Sequence, residues 1–167
     1  MPELPVALHP DYHFKSLSPI VGYTIPEDEG VWLPGEPGIL SKLLMLDLKG
    51  NSFVVLAKCE PGSVITRHYH TGPVVGYVLQ GTWKYKEYDW IARAGSFVYE
   101  AAGEAHTLLT FGNEPMLTVF HNIGPNIILD DDGKQIGYND VFTVLEYARE
   151  YCAKNGLDAG YFDRILR

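Results

Sequence analysis

The stretch "RHYHTGPVVGYVLQG", Arg67–Gly81, decides the fold. Alternate residues of a strand share a face, so His68 and His70 point one way while Arg67 and Tyr69 point the other. Val64 and Thr66 share the histidine face, which therefore lines an interior. Two imidazoles side by side are a natural pair of metal ligands. A His-x-His pair alone is weak evidence, because core and surface histidines also fall this way by chance. The next run is of strand length, rich in Val and Tyr, and closed by Gly81.

The same texture continues on both sides. "SKLLMLDLKG" and "NSFVVLAKCEPG" are apolar runs of strand length separated by a Lys-Gly-Asn turn. "GTWKYKEYDWIA", "GSFVYEAAGEAHTLLTF" and "PMLTVFHNIGPNIIL" come later, each bounded by Gly or Pro. Many short strands at this spacing predict an all-β sandwich or barrel. The first forty residues are broken by Pro26, Pro34 and Pro37 and read as an extended arm with short or edge strands. Glu27–Glu29 there is a solvated acidic patch. "LDDDGKQIGYND" contains the turn dipeptide Asp132-Gly133, and its aspartates lack the spacing of a calcium loop. After it, Val141, Val144, Leu145, Ala148 and Cys152 recur at helical spacing. Asn139 or Asp140 caps the start and Gly156 ends the helix. The organisation expected is one domain over 1–167, with an arm at 1–37, a core at about 38–129 and an amphipathic helix at about 140–155. The helix packs on the barrel or on a second subunit and is assigned no chemistry.

The chain of 167 residues is long enough to bury a core without staples. A formal net charge of -8 argues against nucleic acid or an anionic membrane surface as partner. No run is apolar enough to span a bilayer, and the N-terminus lacks the basic start and apolar core of an export signal. A cytoplasmic protein with Cys59 and Cys152 as reduced thiols is expected.

Further motifs sharpen the histidine reading. Gly62 precedes His68 by a five-residue spacer, and Gly81 closes the following strand. Gly95, Gly103 and His106 form a second fixed pattern. Together these resemble the two sequence motifs of the cupin superfamily, over roughly residues 40 to 125. The resemblance implies a jelly-roll β-barrel and a metal held by His68, His70 and His106. There are two departures. The proline of the second motif is Ala101. The glutamate of the first motif is missing, with Pro73, Val74 and Val75 in its place. Three neutral imidazoles leave the full charge on a divalent metal and strengthen its Lewis acidity. Imidazole suits iron, zinc, copper and nickel alike, so ligand type does not choose among them.

Other residues are candidates for the surroundings of the site. In "GTWKYKEYDW", alternation turns Trp83, Tyr85 and Glu87 inward and Lys84, Lys86 and Tyr88 outward. A buried Tyr85 hydroxyl needs a partner. Glu100 ends an apolar strand just before the turn carrying His106. Its carboxyl is expected to be partly buried, with a raised pKa unless paired, and suited to shuttling a proton or orienting a histidine. A plain surface glutamate is the alternative. Thr66, Val74, Val78, Trp83, Val98 and Leu108 are pocket walls or simply core. His121 is a core or pocket histidine outside the ligand set. His9 and His13 lie in the arm, and Glu104 in an exposed turn.

"HYHTGPVVGYVLQGTWKYKEYDW", "GSFVYEAAGEAHTL" and "YNDVFTVLEYAREY" resemble the 2,4'-dihydroxyacetophenone dioxygenases, small iron cupins grouped with the cupin half of the ChrR anti-sigma factor. That resemblance implies Fe2+ on the three histidines, with Tyr85 and Glu100 as the catalytic pocket pair. The reaction implied uses O2 to split an aromatic hydroxyketone into 4-hydroxybenzoate and formate, with a carboxylate or tyrosinate accepting the substrate proton. A homodimer or homotetramer is expected. The rival readings are a β-diketone-cleaving dioxygenase, a non-enzymatic zinc-binding sensor like the ChrR cupin half, and a sugar- or acid-binding cupin.

Overall fold

The computed structural model describes residues 30–167. The expectations for His9, His13 and Glu27–Glu29 lie outside the described residues. Twelve strands and two helices succeed one another among the described residues. The strands are β1 (Trp32–Pro34), β2 (Ile39–Asp47), β3 (Ser52–Cys59), β4 (Val64–His70), β5 (Val74–Gln80) and β6 (Thr82–Tyr85). Then come β7 (Ala92–Arg93), β8 (Phe97–Glu100), β9 (His106–Phe111), β10 (Met116–Ile123), β11 (Asn126–Leu129) and β12 (Gln135–Asn139). The helices are α1 (Val141–Asn155) and α2 (Gly160–Ile165).

The strands form two antiparallel sheets, β1-β2-β3-β10-β5-β8 and β12-β11-β4-β9-β6-β7. One buried cluster draws on both, including Ala57, Val78 and Phe120 from the first and Trp83, Tyr85 and Leu108 from the second. The two sheets therefore close face to face on a shared interior, the jelly-roll expected. Within this interior Trp83 Nε1 donates to Thr118 Oγ1 at 3.1 Å, which satisfies the buried indole N–H.

Turns fix the strand ends. Gly81 has φ 78°, and a Cβ there would lie 2.6 Å from the Met116 Cα, so only glycine fits between β5 and β10. Gly103, at φ 88°, donates its N–H to the His70 carbonyl at 2.8 Å. That bond pins the turn before His106 against the end of the histidine strand.

The helix appears as expected. Asp140 caps α1 by accepting from Phe142 and Thr143, and Thr143 Oγ1 accepts the Asp140 N–H at 2.8 Å. Gly156 closes it at φ 65°. Leu145, Ala148 and Cys152 pack with Phe162 and Ile165 of α2 against Leu43, Leu46 and Phe53, making a second cluster outside the barrel. Two elements differ from the sequence reading. The segment read as a turn around Asp132-Gly133 also contains β12, which pairs with β11. The short α2 has too few residues to show helical periodicity.

Candidate metal centre

The centre lies between the sheets. His68 and His70 come from β4, and His106 opens β9 beside them, in register with His68. One ring nitrogen from each of the three lies within 4.8 Å of the others, a group able to hold a metal ion. His70 and His106 are buried, His68 partly so. The strict alternation predicted for β4 holds only at its end. Its register against β9 shifts between Ile65 and His68. Ile65 consequently packs on the interior cluster and lines the cavity, while Val64 is 47% exposed.

Each of two histidines is oriented through its other nitrogen. His68 Nδ1 lies 2.7 Å from the Thr66 carbonyl, which can only accept, so this nitrogen carries the proton. His70 Nδ1 lies 2.6 Å from Asn126 Oδ1. Both therefore turn Nε2 to the centre. The His106 ring is stacked on Tyr85, with centroids 4.1 Å apart. Burial, with His70 and His106 alongside, pulls His68 down to about 4, so it is neutral and ready to donate its lone pair at neutral pH.

Glu100 ends β8 of the opposite sheet, paired in register with Val74. Its Oε2 points to the same centre, 2.9 Å from His70 Nε2 and 3.4 Å from His106 Nε2. A carboxylate from β8 thus stands beside the strand where the first cupin motif would carry its own. The Tyr85 hydroxyl donates to Glu100 Oε1. Burial pushes the Glu100 carboxyl up, but contacts with His106, His70 and Tyr85 outweigh it and hold the group below the usual carboxylate range. The pairing condition is met, so the pKa falls rather than rises. Burial and the Glu100 charge hold Tyr85 well above the ordinary phenol value. Of the two proton acceptors implied by the resemblance, the tyrosinate is therefore disfavoured, and Tyr85 is a donor.

A metal fits this arrangement. Glu100 Oε2 and His106 Nε2 are buried without a hydrogen-bond partner. His70 Nε2 and Glu100 Oε2 meet at 2.9 Å, a contact that requires either a shared proton or a cation at the centre.

A cavity of about 550 Å³ leads to the centre. His68, His70, Tyr85 and Glu100 line it, with Thr66, Val74 and Leu108 among the predicted walls. Val78, Trp83 and Val98 are core instead. Glu87 is not turned inward: β6 ends at Tyr85, and Glu87 is exposed, accepting from Thr107. His121 faces away from the group, 3.5 Å from Ser52 Oγ. Glu104 is exposed.

Several lining residues escaped the sequence reading. Asn122 and Asn126 face the cavity, and an amide on an inward strand position was the one signal they gave. Glu36 accepts the Thr66 N–H at 3.0 Å across the mouth. Helix α1 contributes Thr143, Val144 and Tyr147 to the wall, so it is part of the pocket as well as packing. Tyr147 also donates to the Pro34 carbonyl at 2.6 Å, tying the helix to β1.

Fold and side-chain constellation together are those of a cupin. The sequence profile of the ChrR cupin-like domain matches residues 23–126, and the chain belongs to that family. An RmlC-like cupin protein from Ralstonia eutropha is 31% identical, with 83% of this chain and 92% of that one covered and a TM-score of 0.76. An acetylacetone dioxygenase from Acinetobacter johnsonii shares the fold at 21% identity, over 84% of this chain and 98% of that one, with a TM-score of 0.72. The anti-sigma ChrR of Rhodobacter sphaeroides, solved with SigE, shares it at 18% identity, over 57% and 51%, with a TM-score of 0.51. No curated protein matches the chain. Among the described residues, no helix is long and apolar enough to cross a membrane.

Proposed function

We propose that the chain is a non-haem iron dioxygenase that cleaves the carbon–carbon bond of an aromatic α-hydroxyketone. His68, His70 and His106 hold the iron. The observation that carries the reading is a buried Glu100 carboxyl facing three converging imidazoles at the head of an apolar-walled cavity. Bound there, iron(II) supplies the Lewis acidity and the redox chemistry that dioxygen needs.

The residues of the chain do the rest. Leu33, Val55, Leu108, Phe120 and Val144 offer an apolar slot for an aromatic ring. An α-hydroxyketone brings adjacent carbonyl and hydroxyl oxygens to the polar end. Glu100 is the acceptor for the substrate proton, since Tyr85 is held protonated. Tyr85 steadies that carboxylate by donating to Oε1, leaving Oε2 toward the substrate. With 2,4'-dihydroxyacetophenone, the bond between ketone and hydroxymethyl carbons breaks. Both atoms of one dioxygen enter the products, 4-hydroxybenzoate and formate, which balances the reaction without another reductant.

The test is oxygen uptake by protein loaded anaerobically with ferrous iron, with formate assayed in the same sample. Equimolar uptake and formate from 2,4'-dihydroxyacetophenone is the expected result. Uptake with acetylacetone alone would move the assignment to β-diketone cleavage. Tight zinc with no turnover of either substrate would favour a sensor.

A further inference from the structure

Asn126 sits at the start of β11, in register with His70 of β4. Its Oδ1 lies 2.6 Å from His70 Nδ1. Its Nδ2 donates to Asn122 Oδ1 at 3.4 Å. Asn122 is 4% exposed on β10 of the opposite sheet. An amide can turn either its oxygen or its nitrogen toward a ring. Asn122 turns its oxygen to the Asn126 NH2, and this arrangement leaves Asn126 Oδ1 toward the histidine. With Oδ1 there, His70 carries a proton on Nδ1, so that Nε2 is the nitrogen left to bind a metal.

We infer that Asn126, oriented by Asn122, is a positioning residue that sets the His70 tautomer and hence the metal affinity of the site. The inference rests on the metal-centre reading above and adds a residue to it. It also specifies the kind of support. Thr66 supports His68 through a neutral carbonyl, and Asn126 supports His70 through a neutral amide. Neither lends negative charge to its imidazole, as a carboxylate partner would, so the bound metal retains more of its Lewis acidity. A hydrophobic side chain at position 126 would release the ring to rotate or to move its proton to Nε2, where it blocks the lone pair.

The experiment compares the wild-type chain with Asn126→Leu and Asn126→Asp, and reads two quantities. The first, on metal-free protein, is the histidine ¹⁵N spectrum, which reports which ring nitrogen is protonated. The second is zinc affinity by chelator competition, with apo thermal stability as a control for folding. Wild-type His70 should carry its proton on Nδ1, and Asn126→Leu should shift it toward Nε2. Zinc binding by Asn126→Leu should weaken about 10- to 100-fold, the usual effect of losing an outer partner. Asn126→Asp keeps an acceptor in place, so it should preserve the tautomer and bind zinc at least as tightly as the wild type. An Asn126→Leu chain with unchanged tautomer and affinity would overturn the inference and leave the metal centre standing. A wild-type chain that binds no divalent metal would overturn both. Should Asn126→Leu fold poorly, Asn126→Ala, read by the same tautomer measurement, decides the point.

Discussion

Two buried clusters among the described residues are of similar size and opposite chemistry. The barrel interior, around Trp83, Tyr85 and Phe120, is shared with buried Glu100, His70, His106, Thr118 and Asn122. The cluster under the helices, around Leu43, Leu46, Leu145 and Phe162, is almost wholly apolar. Its buried tyrosine, Tyr161, donates its hydroxyl proton to the Leu43 carbonyl at 2.5 Å. Ionisable groups in a core cost stability unless they are paired or coordinate a metal. Their concentration in one cluster indicates that the barrel carries function, while the helix-side cluster closes the fold and shapes the cavity's outer wall.

Variants should separate the two clusters. The largest effect is expected from His106→Ala, which removes one of the three proposed ligands. Zinc or iron binding should weaken more than the ~100-fold seen on losing an outer partner, and turnover should vanish with it. Isothermal titration and metal analysis would check this. Glu100→Gln keeps the shape and still accepts from Tyr85. It should retain metal yet lose ~10²- to 10⁴-fold in turnover, the range for a lost general base. Steady-state oxygen uptake would measure it. If Glu100→Gln instead lost the metal, the carboxylate would be a ligand.

In the other cluster, Phe162→Ala empties a fully buried aromatic site and should cost about 3–5 kcal/mol in urea unfolding. Metal affinity of the folded fraction should not change. Asp140→Ala removes the cap of α1 and should cost about 1 kcal/mol by the same assay. The smallest effect concerns Cys59, wholly buried, where burial and then Glu36 and Glu60 raise the thiol from 9.0 to about 12. Iodoacetamide should not label it in the native state at pH 8 but should label it in urea. The folded chain holds this proton where an unfolded chain has lost it. Stability from this group is therefore fully present below about 9 and declines as pH climbs toward 12.

The sequence made the centre legible where a side chain's place is set by local pattern. The shared face of His68 and His70 follows from the period of a strand, and their grouping with His106 came from the resemblance to the two cupin motifs. The interior places of Tyr85 and Trp83 followed from alternation. Glu87 failed the same rule because the strand ended two residues earlier, and Val64 failed it because a register shift reverses the face. The contacts that stayed hidden join distant strands. Glu100 reaches the histidines across the gap between two sheets, and Asn126 lies 56 residues from His70. No local period encodes such a meeting. It depends on strand order, which the turns and the packing of the whole barrel determine. The helix was legible as a helix, but its place on the cavity wall was not, since Thr143 and Tyr147 read only as its polar side.

The central claim is that this centre directs dioxygen into a carbon–carbon bond, and isotope labelling tests it most directly. Iron-loaded protein is given 2,4'-dihydroxyacetophenone under ¹⁸O₂, and both products are analysed by mass spectrometry. The account predicts one labelled oxygen in 4-hydroxybenzoate and one in formate. The same two products, both unlabelled, would mean that their new oxygens come from water and that dioxygen serves only as the electron acceptor, and would contradict it.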